Sequence, residues 1–331
     1  MKKFKVTWIL AGVFIFLIGY VYLVEIKLAS KKEIEKEIKE KFYSFDKTKI
    51  ETIYLTNTHG VFQAKRFGEN EWRLEKPIQV PADRYAWNGI VDALVELKPS
   101  RTIAENVADA SPYGLKLPRM KVEVTLAGQK EKVVLKVGDE NPVGDSFFIT
   151  NGASQKVVLA ARNISYPLDK DLRQLREKKL FSFNTEASRE IEIKKADQRL
   201  VLKKEGEIWN IVSLKGEKKP ADSEKVKEIL GAVTMLEVSD FVEEAPKEIK
   251  QYGLDHPQAT VVVRNEKATQ LELILGQKKE LGIYVMKKSE KPVYKVDAYI
   301  LDRLPVDVSK VEKKPEKKEE KKDILTTPAK K

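Results

Sequence analysis

The chain is 331 residues long, 42% hydrophobic and 34% charged, with a formal net charge of +11 and no cysteine. The absence of cysteine excludes disulfides, thiolate metal sites, a cysteine nucleophile and a lipid-modified N-terminal cysteine, and the length suits about two domains. Residues 1–49 carry +5 of the charge and residues 309–331 carry +4, leaving only +2 on the middle of the chain, so the basic footprint of a nucleic-acid-binding fold is missing.

In chain order, a short N-terminal segment (residues 1–5) with three lysines precedes Val6–Val24, 19 residues without a charge. As a helix this run measures about 28 Å, close to the hydrocarbon thickness of a bilayer. Trp8 lies near one end and Tyr20 and Tyr22 near the other, where an aromatic belt places them. Residues 6–24 are therefore predicted to be a retained transmembrane helix. A cleaved signal peptide has a shorter apolar core and a small-residue cleavage site after it. Lysines flank both ends of the span. A literal count would put the C-terminal side in the cytoplasm, but large domains translocate largely regardless of flanking charge, and the bulk of the chain is expected outside it. Residues 25–43 read as a charged helical stalk, with Ile34, Ile38 and Phe42 on one face and Glu35–Lys39 and Glu37–Lys41 as favourable pairs.

The body is one unit written twice. Tyr113-Gly114-Leu115-x-x-Pro118 returns 139 residues later as Tyr252-Gly253-Leu254-x-x-Pro257. At the same shift, Pro81-Ala82-Asp83 matches Pro220-Ala221-Asp222, and Trp87, Ile90, Val91, Leu94 and Leu97 match Val226, Ile229, Leu230, Val233 and Leu236. The spacing predicts two helices with one apolar face each, and Asp83 and Asp222 are placed to cap them. Trp72 pairs with Trp209, and Gly138 with Gly276. Alternation at Ile53 and Leu55, and at Ile191 and Ile193, is the period-two pattern of half-buried strands. Each unit reads β-β-β-α-β-turn-β-β-β-β, closed by a short helix, which in the first copy is "YPLDKDLRQLREKK". The predicted class is α+β: an N-terminal transmembrane helix followed by two tandem homologous, mainly antiparallel β units, each covered by a helix. The units are expected at residues 44–179 and 180–308, before a disordered Lys/Glu-rich tail at 309–331 that is too poor in apolar residues to offset ordering entropy. The repeated hexapeptide reads as a hinge: glycine permits a tight backbone conformation, proline bars helix continuation, and Tyr and Leu anchor the turn.

Chemistry is sparse. The two histidines, His59 and His256, fall in loops and cannot build a three-histidine zinc site. There is no nucleophile elbow and no phosphate or dinucleotide loop. In "GDENPVGDS", Asp139, Glu140, Asn141 and Asp145 offer oxygen ligands to a hard cation. However, the spacing fits no calcium loop, and these residue types dominate ordinary turns. No catalytic residue, cofactor or metal is expected.

Trp72, Asp83, Tyr113-Gly114-Leu115, Pro118 and Gly138, recurring as Trp209, Asp222, Tyr252-Gly253-Leu254, Pro257 and Gly276, give the chain its resemblance to the bacterial family called domain of unknown function 4340. The resemblance covers about residues 40–305 and the anchor. The second copy departs from it at "IVSLKG", which lacks the Lys-Pro that follows Trp72 at Lys76-Pro77. It implies a single-pass protein of the bacterial inner membrane, associated in some cases with ABC transporter systems of the gliding-motility kind, and no established catalytic residues. The expected function is a non-enzymatic, membrane-anchored envelope protein that binds or scaffolds envelope partners such as ABC transporter subunits, with the bilayer itself contacted through residues 6–24 and no nucleic acid. The alternatives are a lipid- or glycan-binding module and a carboxylate-dependent hydrolase.

Overall fold

The computed structural model describes residues 2–22, 40–68, 71–152 and 155–314. Helix α1 covers Lys2–Tyr20, and the apolar side chains from Leu10 to Ile18 described there are more than half exposed. Among the described residues no helix is long and apolar enough to cross a membrane. Residues 23–24 of the expected span, and residues 25–39 of the expected stalk, lie outside the described residues. At the end of the stalk segment, Phe42 and Tyr43 pack on the core of the first unit, and the Phe42 N–H donates to Leu97 O at 2.7 Å.

The rest divides into two compact units, residues 1–177 and 178–331. In the first, strands β1 (Ile50–Asn57), β2 (Gly60–Phe67), β3 (Glu71–Lys76) and β4 (Val80–Pro81) precede helix α2 (Arg84–Val95) and β5 (Arg101–Ala104). Then come β6 (Met120–Leu126), β7 (Val133–Glu140), β8 (Ser146–Thr150) and β9 (Val157–Ala161), followed by one-turn helices α3 (Ser165–Leu168) and α4 (Leu172–Leu175). The strands form one nine-stranded sheet in the order β4-β3-β2-β1-β6-β7-β8-β9-β5, with every pairing antiparallel.

The second unit repeats this. β10 (Glu190–Lys195), β11 (Gln198–Glu205), β12 (Ile208–Val212), β13 (Lys218–Pro220), α5 (Ser223–Thr234), β14 (Asp240–Glu243), β15 (Ala259–Arg264), β16 (Thr269–Lys279), β17 (Gly282–Lys287) and β18 (Val293–Asp297) follow in turn. Their sheet order is β13-β12-β11-β10-β15-β16-β17-β18-β14, the first order element for element. The long middle strands alternate buried with half-exposed positions, as in β6, because one face meets the core and the other meets water. Trp87, Ile90, Val91 and Leu94 of α2, and Val226, Ile229, Leu230 and Val233 of α5, are buried in their own unit's core. Leu97 and Leu236 end the predicted stripes but lie beyond the helix ends, still buried.

Three expectations are corrected. Each unit has an additional edge strand, β4 or β13, of only two or three residues, too short to leave a periodic signal. The closing segment "YPLDKDLRQLREKK" is not one helix. The backbone leaves the helical region at Asp169 (φ −99°, ψ 59°), and Asp171 starts a new turn through a reciprocal capping box with Gln174. Finally, order continues past residue 308: Val308–Lys310 form a short 3-10 turn and Val311 is fully buried in the second core. The reason is the repeat itself. Asp83 N–H donates to Leu175 O at 3.0 Å and Glu177 N–H to Pro81 O at 3.1 Å, while Asp222 N–H donates to Val311 O at 2.8 Å and Lys313 N–H to Pro220 O at 3.0 Å. Residues 311–313 do for the second unit what 175–177 do for the first.

Candidate functional site

The repeated motif residues converge on two features in each unit. The first is a latch. After β5, a 3-10 turn at Ser111–Tyr113 ends on Gly114, whose φ of +68° is left-handed. After β14, the turn Lys250–Tyr252 ends on Gly253 at +66°. Leu115 and Leu254 follow, 1% and 3% exposed. The turn lies directly on the next-but-one strand: a Cβ on Gly138 would stand 2.1 Å from Tyr113 O, and one on Gly276 would stand 2.2 Å from Tyr252 O. Both glycines sit inside register shifts, between Val137 and Glu140 against β8 and between Leu275 and Lys278 against β17. The latch thus closes on a β-bulge. Tyr113 stacks edge-on with Phe148 at 5.1 Å and Tyr252 with Tyr284 at 5.0 Å. Tyr252 also donates to Glu243 at 2.6 Å; that bond, with burial second, pushes its phenol up to about 12. The motif residues thus hold the turn against its own sheet. Its variable pairs face outward: Leu117 is 89% exposed and the His256 side chain 95%.

The second feature is a hollow beside each tryptophan. Trp72 stands directly opposite Arg66 across β2–β3, and Trp209 directly opposite Lys204 across β11–β12, so each aromatic shares a face with a cation. In the first unit the hollow is about 410 Å³ and is lined by Lys47, Arg66, Asn88 and Asp92 among others. Its polar groups engage one another. Trp72 Nε1 donates to Asn88 Oδ1 at 2.8 Å, Lys47 Nζ meets Asp92 at 3.1 Å, and Arg66 donates to Lys47 O at 2.7 Å. The Arg66 guanidinium lies 4.7 Å over the Trp72 ring, and burial, partly offset by Asp92, lowers its pKa. Its Nε is buried without a partner.

In the second unit the hollow is about 470 Å³. Lys227 stands where the first unit has Asn88, and Gly231 where it has Asp92. Lys227 turns to Glu224 at 2.9 Å, so the Trp209 indole N–H has no acceptor among the described residues. The Lys204 side chain is 10% exposed and meets Glu207 at 3.1 Å. Sequence reasoning marked the tryptophans but missed Arg66, Lys204 and Asn88. A cation five or six positions before each repeated Trp was the available signal.

The remaining candidates are placed as follows. Asp83 accepts from Ala86 N–H at 2.8 Å, and Asp222 from Glu224 N–H at 2.9 Å. Pro118 and Pro257 lead into β6 and β15. In the acidic stretch, Asn141 Oδ1 accepts from the backbone of Gly144, Asp145 and Ser146 at 3.0–3.2 Å, and Glu140 meets Arg162 at 3.2 Å: a self-satisfied turn. His59 lies 3.7 Å from Asp169. Among the described residues no three His, Asp or Glu groups are placed to hold a metal. On the polar face of the second sheet, Glu192 is 6% exposed yet contacts Arg199 at 2.9 Å, Lys194 at 3.0 Å and Arg264 at 3.4 Å.

Fold and sites together define a tandem of two helix-covered, nine-stranded antiparallel sheets, each closed by a glycine latch and each with a tryptophan hollow. The family model described as Domain of unknown function (DUF4340) matches twice, over residues 72–220 and 209–324; the chain belongs to this family. Both matches begin on a hollow tryptophan. No curated protein and no solved structure matches the chain.

Proposed function

We propose that the protein is a membrane-anchored, non-enzymatic envelope component whose two latch-closed units form a binding or scaffolding region outside the cytoplasm. The observation that carries this reading is helix α1. Its apolar side chains, Leu10, Phe14, Ile15, Phe16, Leu17 and Ile18 among them, are all exposed to 51% or more, and a helix apolar on every side calls for a hydrocarbon surround. In sequence the uncharged run continues to Val24, a spanning length. The family resemblance supports an ABC transporter of the gliding-motility kind as the partner system. An alkaline-phosphatase fusion after Lys314 tests the topology: activity is expected, and a stable but inactive fusion refutes the extracytoplasmic placement. Cross-linking in cells followed by mass spectrometry tests the partner. Recovery of transporter subunits is expected; a cross-link map holding only cytoplasmic proteins refutes the scaffold reading.

A further inference from the structure

The two units offer an internal comparison. They share one fold, one aromatic and one facing cation, yet the two acceptors that the helix supplies at the first hollow, Asn88 and Asp92, have no counterpart at the second. Asp92, which reaches Lys47 at 3.1 Å, is replaced by Gly231, around whose Cβ position there is nothing within 4 Å. Asn88, the acceptor for Trp72, is replaced by Lys227, which brings a donor in place of an acceptor. The second hollow holds an indole N–H without an acceptor among the described residues, on a residue 6% exposed, and the ammonium of Lys204 on a side chain 10% exposed and paired with Glu207. The Trp209 Nε1 atom is not sealed from solvent, so a ligand can reach it as water does, and two donors beside one void complement an oxyanion. Among the described residues the carboxylate that touches Lys204 is Glu207, whose side chain is 92% exposed, and an ion pair that open to water is readily exchanged. Glu186, also lining the hollow, is exposed. The rest of the wall is mixed: Thr185, Ser223, Lys227 and Thr234 stand beside Leu230 and Met235, and Met235 is 79% exposed, a polarizable side chain suited to adaptable contacts.

We propose that the hollow beside Trp209 binds a small anionic amphiphile, its oxyanion head accepting from the Trp209 indole N–H and Lys204 and its apolar part lying against Leu230 and Met235. The first unit keeps the same architecture in a self-filled form. The proposal stands apart from the anchor reading, since it rests on residues of the second unit alone.

The full chain in a non-ionic maltoside micelle, labelled with 15N, displays the indole N–H signals of its four tryptophans, assigned by single Trp→Phe changes. Titration with decyl phosphate should move the Trp209 signal downfield and saturably, leaving that of Trp72 in place. Gly231→Asp, which copies Asp92, should abolish the shift, and Lys204→Gln should weaken the midpoint at least about fivefold while leaving the spectrum folded. Inorganic phosphate and phosphatidylglycerol vesicles distinguish the source. A response to vesicles assigns the head to a lipid; a response to the soluble probes alone assigns it to a free molecule. The proposal is overturned if Trp209 does not respond at millimolar decyl phosphate, or if Gly231→Asp responds as the parent chain does.

Discussion

Adding one methyl group to Gly138 tests the latch. An alanine Cβ there would lie 2.1 Å from Tyr113 O, whereas carbon–oxygen contacts settle at roughly 3.3–3.6 Å, so the turn must lift by about 1 Å. It resists, because Gly114 N–H donates to Ser111 O at 3.0 Å, and Tyr113 and Leu115 N–H both donate to Ala110 O at 3.2 Å. Lifting it also draws Leu115, 1% exposed, out of its contacts. Overpacking of this kind costs about 1–3 kcal/mol, and partial loss of a buried leucine adds roughly 1 kcal/mol. The smaller entropy of an unfolded alanine chain returns about 0.4–1 kcal/mol. The expected net loss for Gly138→Ala is therefore about 2–3 kcal/mol, confined to the first unit, and Gly276→Ala should do the same in the second. Gly231→Ala is the control: it is a helical glycine with nothing within 4 Å of its Cβ position, and the exchange should stabilise by about 0.5–1 kcal/mol. Hydrogen exchange read by mass spectrometry resolves the units separately. In Gly138→Ala, the slowest amides of β6 and β7 should exchange about 30- to 150-fold faster, since every 1.4 kcal/mol is a factor of ten, with β15 and β16 unchanged. Protection within a factor of two of the parent chain would show that the carbonyl yields freely and that the latch is not a constraint.

Three further outcomes follow from the same geometry. Tyr252 holds its proton up to about pH 12 in the folded state because it donates to Glu243. Its contribution is complete below the ordinary phenol value near 10 and is lost as pH rises toward 12; Tyr252→Phe should cost about 0.5–1.5 kcal/mol at neutral pH and flatten the alkaline limb of a stability–pH curve. Burial acts to raise the Glu192 pKa, but Lys194 and Arg199 together bring it below the ordinary carboxylate value. The second unit should therefore lose stability as pH falls below about 4.5. Glu192→Gln should remove that loss in acid titrations followed by circular dichroism, and should cost about 1–2 kcal/mol at pH 7 because the cationic partners are half exposed. Asp222→Ala removes the cap from Glu224 and Lys225 N–H and should cost about 1 kcal/mol in urea denaturation.

The repeat was legible because the apolar stripes of α2 and α5 and the alternation at Ile53, Leu55, Ile191 and Ile193 are local patterns with fixed periods. Capping at Asp83 and Asp222 was legible for the same reason. Gly138 and Gly276 were visible as a matched pair, but not their purpose: the contact joins them to carbonyls 25 and 24 positions earlier, and a missing side chain leaves no chemical trace. The hollows were hidden likewise, because Arg66 and Trp72 meet only once β2 and β3 pair. The end of the second unit was placed too early because lysines and glutamates surround Val311, and charge density masked a single buried residue. The match of "LREKK" in the first copy with "VEKK" in the second was the available clue.

Each sheet ends in two edges, and all four are stunted: β4 and β13 have two and three residues and each ends in proline, and β5 and β14 have four. Proline supplies no N–H to a further ladder, and an edge of two to four residues is a poor template for another strand. Tandem units of one strand order invite cross-pairing and swapped assembly while they fold. Stunted edges close that route from the margins of each sheet inward, so many copies of this chain can stand side by side without joining into a common sheet.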